Sequence, residues 1–127
     1  MHGAKNFPFR KQKSSLDVEL PDGCGDGEYL ARLEEHLPRV LEEADAQLLF
    51  FQAGVDPLEG DRLGRLKLSL DGLRRRDRLA LRSARALKLP AVVTLGGGYA
   101  RPVSLSVEAH LGTFREARGV LEREDEL

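Results

Sequence analysis

Residues 47–57 read QLLFFQAGVDP, a short apolar run that stops at Gly54 and is followed by an aspartate and a proline. Apolar runs of this length are typical of a β-strand covered on both faces. Because Pro57 cannot continue a β-ladder, we expect the chain to leave the sheet there. Asp56 is therefore predicted to lie just past the carboxyl end of a buried strand, at the edge of the sheet where ligands bind in α/β proteins. A role limited to capping the turn is the alternative interpretation of this carboxylate.

The rest of the chain alternates strand-like and helix-like patterns on either side of this run. Apolar runs and apolar–polar alternation predict strands at 16–20, 47–53 and 90–95. Apolar residues at helical spacing predict helices over about 28–44, 69–88 and 103–121. Strands joined through helical crossovers pair in parallel. The expected fold class is therefore α/β, with three α/β/α layers and a mainly parallel sheet.

Each predicted helix carries one apolar stripe, which we expect to face the core. In the first helix the stripe comprises Leu30, Leu33, Leu37, Val40 and Leu41. In the second it comprises Leu70, Leu73, Ala80, Leu81, Ala84 and Leu87, and in the third Val103, Val107, Leu111, Phe114, Ala117 and Leu121. Asp26 is a candidate cap for the first helix, and Ser69 or Asp71 for the second. Pro38 lies inside the first helix and predicts a kink.

Charged and titratable residues on these helices have plain structural interpretations. The second helix carries Arg74, Arg75, Arg76, Arg78, Arg82 and Arg85 on its predicted outer face. A nucleic-acid surface is one interpretation of this face, but a formal net charge of −1 favours a solvated helix face. The basic loop 1–15 is interpreted in the same way. His36 and His110 lie beside apolar stripes, where packing is favoured over chemistry.

Composition sets the broad class of the protein. The chain has 127 residues, enough for one domain, and 41% of them are apolar and 32% charged. Cys24 is its single cysteine, which excludes an internal disulfide and a cysteine-rich zinc site. No apolar run approaches the roughly 20 residues of a membrane span. We therefore expect a cytoplasmic protein with no membrane or nucleic-acid partner.

The second buried strand also ends in a distinctive turn, Gly96-Gly97-Gly98-Tyr99. Because parallel strands end at the same edge of a sheet, Asp56 and Tyr99 are predicted to share that edge, on neighbouring strands about 5 Å apart. Glycines let a backbone approach a ligand closely. No phosphate-binding motif is present. A carboxylate beside a phenol suits metal-assisted attack on a carbonyl, in which the hydroxyl stabilises the oxyanion.

Three motifs together resemble the carboxyl-terminal half of the histone deacetylase family, in the manner of its class IV and bacterial members. They are QAGVDPL at 52–58, GDRLGRL at 60–66 and LGGGY at 95–99, and NFPFRK at 6–11 and LDVEL at 16–20 fit the same half. The resemblance covers about residues 1–118 in order. It implies an arginase-like α/β fold, with 1–121 as the carboxyl-terminal part of the domain and 122–127 as an acidic tail that frays.

The resemblance also implies an activity and its residues. The activity is zinc-dependent hydrolysis of an acetamide on acetylated lysine or a polyamine. Asp56 matches the second aspartate ligand of the zinc, and Tyr99 matches the tyrosine that stabilises the tetrahedral oxyanion. The residues that match the lining of the substrate tunnel are Phe7, Leu63, Gly97 and Gly98. An apolar tunnel suits the methylene stem of a lysine.

The departures from the family pattern limit this expectation. The family also binds zinc through an Asp-x-His pair and uses paired histidines, and neither motif occurs among the 127 residues. In the family these residues precede the segment that this chain matches. A catalytic zinc needs about three protein ligands. We therefore expect a deacetylase segment that is inactive alone, completed by a missing amino-terminal half.

A second interpretation is a non-catalytic interaction module on a truncated deacetylase scaffold. Its sheet would lack strands on at least one side, and the exposed edge would recruit another chain.

Overall fold

The computed structural model of the protein describes residues 1–123. Within that range the chain forms β1 (His2–Gly3), β2 (Glu19–Leu20), α1 (Asp26–Ala44), β3 (Leu49–Gln52), α2 (Leu70–Ala86), β4 (Ala91–Thr94) and α3 (Val103–Glu122). The three predicted helices and the three predicted strands are all present, and the strands are shorter than expected. β1 was not predicted, because it lies in the segment interpreted as a loop. The predicted acidic tail lies beyond the described residues from position 124 onward.

The four strands form two parallel pairs. β1 pairs with β2, and β3 pairs with β4 in the register Leu49↔Ala91 to Gln52↔Thr94. The prediction that the strands at 47–53 and 90–95 are parallel neighbours is therefore confirmed. A partial α/β fold results, in which the helical crossover α2 connects β3 to β4.

The prediction that β3 and β4 are buried on both faces is wrong for the described residues. On one face Phe51 lies under α2, with the Arg76 guanidinium 5.7 Å from the centre of its ring. On the other face Phe50 and its partner Val92 are 67% and 40% exposed. The apolar run is a strand, as its composition predicts, but nothing within residues 1–123 covers its second face.

The apolar core lies beside the sheet, where the loops meet the helices. Its largest fully buried members include Leu20, Leu68, Leu73 and Val55. The long loop 54–68 is part of this core, because Leu68 donates its N–H to the Pro57 carbonyl over 3.0 Å and pairs with Leu58. The beginning and the end of the loop are therefore hydrogen-bonded to each other, which fixes the loop next to the strand ends.

Helix α1 begins one residue after Gly25, and Asp26 does not cap it. The Asp26 carboxylate instead accepts hydrogen bonds from the backbone N–H and the hydroxyl of Ser69, over 2.8 and 2.6 Å. Ser69 in turn caps α2 by accepting from the Gly72 N–H, as one of the two sequence alternatives predicted. Asp26 thus links the starts of two helices. Pro38 lies inside α1, which continues to Ala44.

Helix α2 packs as predicted with two exceptions: Leu87, assigned to the inner face, is 55% exposed, and Arg76, assigned to the outer face, is buried. Leu73, Ala80, Leu81 and Ala84 are buried. Arg76, which the sequence placed on the outer face, is only 5% exposed. Because residue 76 lies three positions after Leu73 and four before Ala80, its side chain shares their face of the helix.

The prediction for the inner face of α3 is wrong. Five members of the predicted apolar stripe are between 44% and 70% exposed: Val103, Val107, Leu111, Phe114 and Leu121. The buried residues are Ser106, Ala109, Gly112, Thr113, Glu116 and Val120. Most of these are small or polar, and two of them, Thr113 and Glu116, bond to α2 through hydrogen bonds and ion pairs. No helix within residues 1–123 is both long enough and apolar enough to cross a bilayer.

Glu116 carries much of the polar contact between α2 and α3. It is 4% exposed, and it accepts hydrogen bonds from Arg78 over 2.8 and 2.9 Å and from Arg74 over 3.0 Å. The Arg78 hydrogen bond, with help from Arg74 and against the effect of burial, lowers the pKa of Glu116 from its ordinary 4.5. A lowered pKa means that the folded protein is stabilised above pH 4.5, and that this stability is lost as the pH falls through the lowered value.

We expect Glu116→Gln to lower the free energy of unfolding by about 2 kcal/mol at pH 7, the range for hydrogen bonds to a charged group. The difference from wild type should shrink as the pH falls below 4.5, because the wild-type carboxylate then loses its charge. Urea unfolding across this pH range measures it. Glu108→Gln is the matched control, since Glu108 pairs with Arg115 on the exposed side of the same helix. A difference that stays constant with pH would contradict the assignment.

Candidate active site

The carboxyl ends of β3 and β4 continue into two loops that remain hydrogen-bonded to each other. Ala53 donates its N–H to the Thr94 carbonyl over 2.9 Å, and Val55 donates to the Gly97 carbonyl over 2.6 Å. The pairing therefore extends past both strands and sets Asp56 beside the glycine turn. We call these two loop segments, 53–57 and 96–99, the rim.

Asp56 and Tyr99 meet at Gly97. A methyl group placed on Gly97 would lie 2.9 Å from Oδ1 of Asp56 and 3.2 Å from Cε2 of Tyr99. The carboxylate and the phenol ring therefore both lie close to the same backbone position. This confirms the spatial prediction made from the sequence, that the two side chains share one edge of the sheet.

Only glycine fits at the neighbouring turn positions. A methyl group on Gly98 would lie 2.7 Å from a Val55 methyl and 3.2 Å from Nε2 of His110. A methyl group on Gly96 would lie 2.9 Å from the Gly54 Cα. The glycine turn thus packs directly on the loop that carries Asp56. His110 packs beneath it, as its helical position predicted.

Asp61 joins the glycine turn of the rim to the 61–64 loop. Its Oδ1 accepts from the backbone N–H groups of Leu63 and Gly64 over 2.9 and 2.7 Å, and its Oδ2 accepts from the Tyr99 N–H over 2.7 Å. The Arg62 N–H also donates to the Tyr99 carbonyl over 3.2 Å. One carboxylate therefore fixes the backbone of Tyr99 to the 61–64 loop.

A buried ion pair supports the rim from below. Arg76 donates through Nη1 to the Gly54 carbonyl over 2.6 Å, and through Nε to Asp77 Oδ1 over 2.8 Å. Thr113 donates its hydroxyl to Asp77 Oδ2 over 2.6 Å. Asp77 is 0% exposed. Of its two partners named here, only Arg76 carries a charge that balances the carboxylate. This network connects the residue two positions before Asp56 to both α2 and α3.

A cavity of about 370 Å³ opens at the rim. Its lining includes Asp56, Gly97, Arg76 and Tyr29, together with His2 from β1. Burial raises the pKa of the Asp56 carboxyl, and the Asp61 charge adds to this, while a hydrogen bond from its own backbone and the Arg76 guanidinium oppose it. Burial also raises the pKa of the Tyr29 phenol.

The residues predicted to line a substrate tunnel are arranged unevenly. Gly97 and Gly98 lie at the rim, and Leu63 lies next to the backbone bonds that hold Tyr99. Leu63 is 58% exposed and Tyr99 is 44% exposed. Phe7 is 75% exposed, and its ring packs edge-on against Phe9, with the ring centres 6.3 Å apart. Phe7, Leu63 and Tyr99 are therefore exposed side chains in the described chain.

The donor set does not fit a zinc ion held by this chain alone. Among residues 1–123 no three His, Cys, Asp or Glu side chains cluster closely enough to hold a metal. Asp61, whose charge acts on Asp56, already accepts hydrogen bonds from three backbone N–H groups. Asp56 is thus the carboxylate left at the cavity to serve as a ligand.

Sequence reasoning missed the supporting roles of Asp61, Arg76 and Asp77. A signal for the last two was present, since positions 76 and 77 share the helical face of Leu73 and Ala80, and charged residues on a buried face are normally paired. Asp61 carried no comparable signal, because its acceptor role depends on how two loops approach each other in space.

Comparison with known proteins gives first the fold and then the family. The structure is similar to that of acetylpolyamine aminohydrolase from Burkholderia pseudomallei, with a TM-score of 0.69 at 22% identity over 83% of this chain and 29% of the other. It is also similar to the histone deacetylase Clr3, with a TM-score of 0.66 at 23% identity over 80% of this chain and 17% of the other. These likenesses show the arginase/deacetylase fold, in part.

The histone deacetylase domain model matches residues 2–114, and the chain belongs to that family. An uncharacterized protein of Picosynechococcus is 43% identical over 120 residues, which cover 94% of this chain and 40% of that protein. Histone deacetylase 2 of Arabidopsis thaliana is 36% identical over 115 residues, which cover 85% of this chain and 30% of that protein. The chain thus spans two fifths or less of the length of these relatives.

Proposed function

We propose that this chain is a segment of a zinc-dependent deacetylase, in which Asp56 supplies one metal ligand and Tyr99 stabilises the oxyanion. The observation that carries the proposal is the placement of the Asp56 carboxylate and the Tyr99 ring close to the same position, the one a Cβ on Gly97 would take. Residues 1–121 make up the carboxyl-terminal part of the domain in this proposal, and 122–127 a tail. The remaining ligands and the paired histidines come from the amino-terminal half.

The substrate is an acetylated amine, either an acetyl-lysine side chain or an acetylpolyamine. Membership in the deacetylase family and the likeness to an acetylpolyamine aminohydrolase support this class. Phe7, Leu63, Gly97 and Gly98 contribute part of the wall along the methylene stem. Zinc, when bound by the complete ligand set, supplies Lewis-acid chemistry. This chain's own contribution is to hold the backbone of Tyr99 at the rim, through the hydrogen bond that its N–H donates to Asp61.

The test compares this chain alone with a joined protein. The joined protein carries, before Met1, the part of the Picosynechococcus relative that this chain does not match, connected by a protease-cleavable linker. With zinc and an acetyl-lysine peptide, we expect turnover by the joined protein and none by the chain alone. Tyr99→Phe should lower kcat of the joined protein about a hundredfold, the usual effect of losing one oxyanion donor.

The control is Tyr29→Phe, which removes a phenol hydroxyl from the lining of the cavity that Asp56 also lines. Turnover by the chain alone that Tyr99→Phe abolishes would contradict the segment proposal. A folded joined protein with no turnover on acetyl-lysine or acetylpolyamine would contradict the catalytic one.

A non-catalytic interaction module is the second candidate. Within residues 1–123, β3 and β4 pair only with each other, so each leaves one edge free to receive another strand. In this case the chain would bind a partner without any zinc-dependent turnover.

A further inference from the structure

The exposed side of α3 carries a long apolar surface. Val103, Val107, Leu111, Phe114 and Leu121 follow one another at helical spacing and are 70%, 53%, 44%, 50% and 68% exposed. We call this set the α3 stripe. It runs about 27 Å along the helix at 1.5 Å per residue. Monomeric proteins rarely expose apolar patches of this extent, and such patches mark docking surfaces.

The charges beside the α3 stripe are already paired within the helix. Glu108 pairs with Arg115, and Arg118, which interrupts the stripe, pairs with Glu122. The stripe therefore presents neither a positive nor a negative excess to a partner. An apolar protein surface fits it better than a nucleic acid or an anionic ligand does.

The sheet shows what kind of protein the partner is. The β3–β4 pair has two open edges within the described residues and one exposed face, marked by Phe50 and Val92. Parallel sheets are stable when strands flank them and both faces are covered. A second copy of this chain could pair stripe with stripe, but each copy would keep its own open sheet. A partner that brings both strands and helices is needed.

The lengths of the relatives indicate which protein this partner is. This chain matches 40% of the Picosynechococcus relative and 30% of the Arabidopsis one, so most of each protein lies outside the match. We propose that the α3 stripe docks the part of a deacetylase domain that lies outside the segment matched here. This inference rests on the proposed function, and it adds the surface through which the two parts associate.

The joined protein described above tests the docking surface directly. After cleavage of its linker, the two parts should co-elute in size-exclusion chromatography. We expect Leu111→Glu, and independently Phe114→Glu, to weaken the association of the cleaved parts at least tenfold. Leu87→Glu is the matched control, because Leu87 is 55% exposed at the end of α2, outside the stripe. Circular dichroism of each variant of the isolated chain checks its helix content.

Each outcome bears on one proposal. Parts that co-elute and are separated by the stripe variants but not by Leu87→Glu support docking, even if the complex has no deacetylase turnover. That result would defeat the catalytic proposal alone. Parts that separate in the unsubstituted protein, or stripe variants that associate as tightly as Leu87→Glu, overturn docking. A chain that forms a homodimer through the stripe and leaves the other part free overturns it as well.

Discussion

Arg76→Met is expected to lower the free energy of unfolding by about 3–5 kcal/mol, the cost of removing one partner from a buried ion pair. The substitution leaves Asp77, which is 0% exposed, without its guanidinium, and it removes the donor to the Gly54 carbonyl. Methionine is apolar and has a similar stem, so the loss of charge rather than of volume dominates. Urea or thermal unfolding of the 127-residue chain measures the effect.

Two further variants separate charge from packing. Arg75→Met replaces the neighbouring, exposed arginine and should change the free energy of unfolding by less than about 0.5 kcal/mol. Arg76→Met combined with Asp77→Leu removes both charges, and it should recover part of the loss because no unpaired charge remains buried. If Arg76→Met were as stable as Arg75→Met, the buried ion pair would not support the rim.

Asp61→Ala is expected to cost about 3–4 kcal/mol, because it leaves three backbone N–H groups without the charged acceptor that they share. The local loss of stability should be larger in the 61–64 loop and at Tyr99 than elsewhere. Amide hydrogen exchange should therefore show reduced protection at Leu63, Gly64 and Tyr99, with the helices less affected.

Asp61→Asn is the matched control for this prediction. An amide oxygen keeps the acceptor that faces Leu63 and Gly64, while its NH₂ group cannot accept from the Tyr99 N–H. We therefore expect an intermediate loss of stability, with deprotection at Tyr99 alone. Equal deprotection of all three amides in both variants would show that Asp61 stabilises the fold without linking the two loops.

Local patterns predicted the elements and the rim well. The run at 47–53 and the turn at 96–99 placed Asp56 and Tyr99 together because the ends of parallel strands must coincide. Motif resemblance gave the family, and the match of the family model to residues 2–114 confirmed it. These features depend on sequence neighbours or on the geometry of one sheet.

Burial was predicted less well, for a physical reason. The apolar stripe of α3 was assigned to the core because apolar faces normally turn inward. The face of α3 that packs against α2 instead carries Thr113 and Glu116. Thr113 donates a hydrogen bond to Asp77, and Glu116 accepts from Arg74 and Arg78, so these charges of α2 are paired. Periodicity measures where the apolar residues are, whereas burial also depends on which neighbouring polypeptide is available to cover them.

The polar contact between α2 and α3, centred on Glu116, makes this part of the structure sensitive to acid. Protonation of Glu116 weakens its bonds to two arginines at once, whereas the apolar core of the described residues contains no carboxylate. Helix α3 should then detach before the remainder melts, and Ser106, whose hydroxyl accepts from the Ala100 N–H, leaves with it. Acidity below pH 4.5, where Glu116 takes up its proton, would thus free the segment next to Tyr99 while the 54–68 loop stays folded.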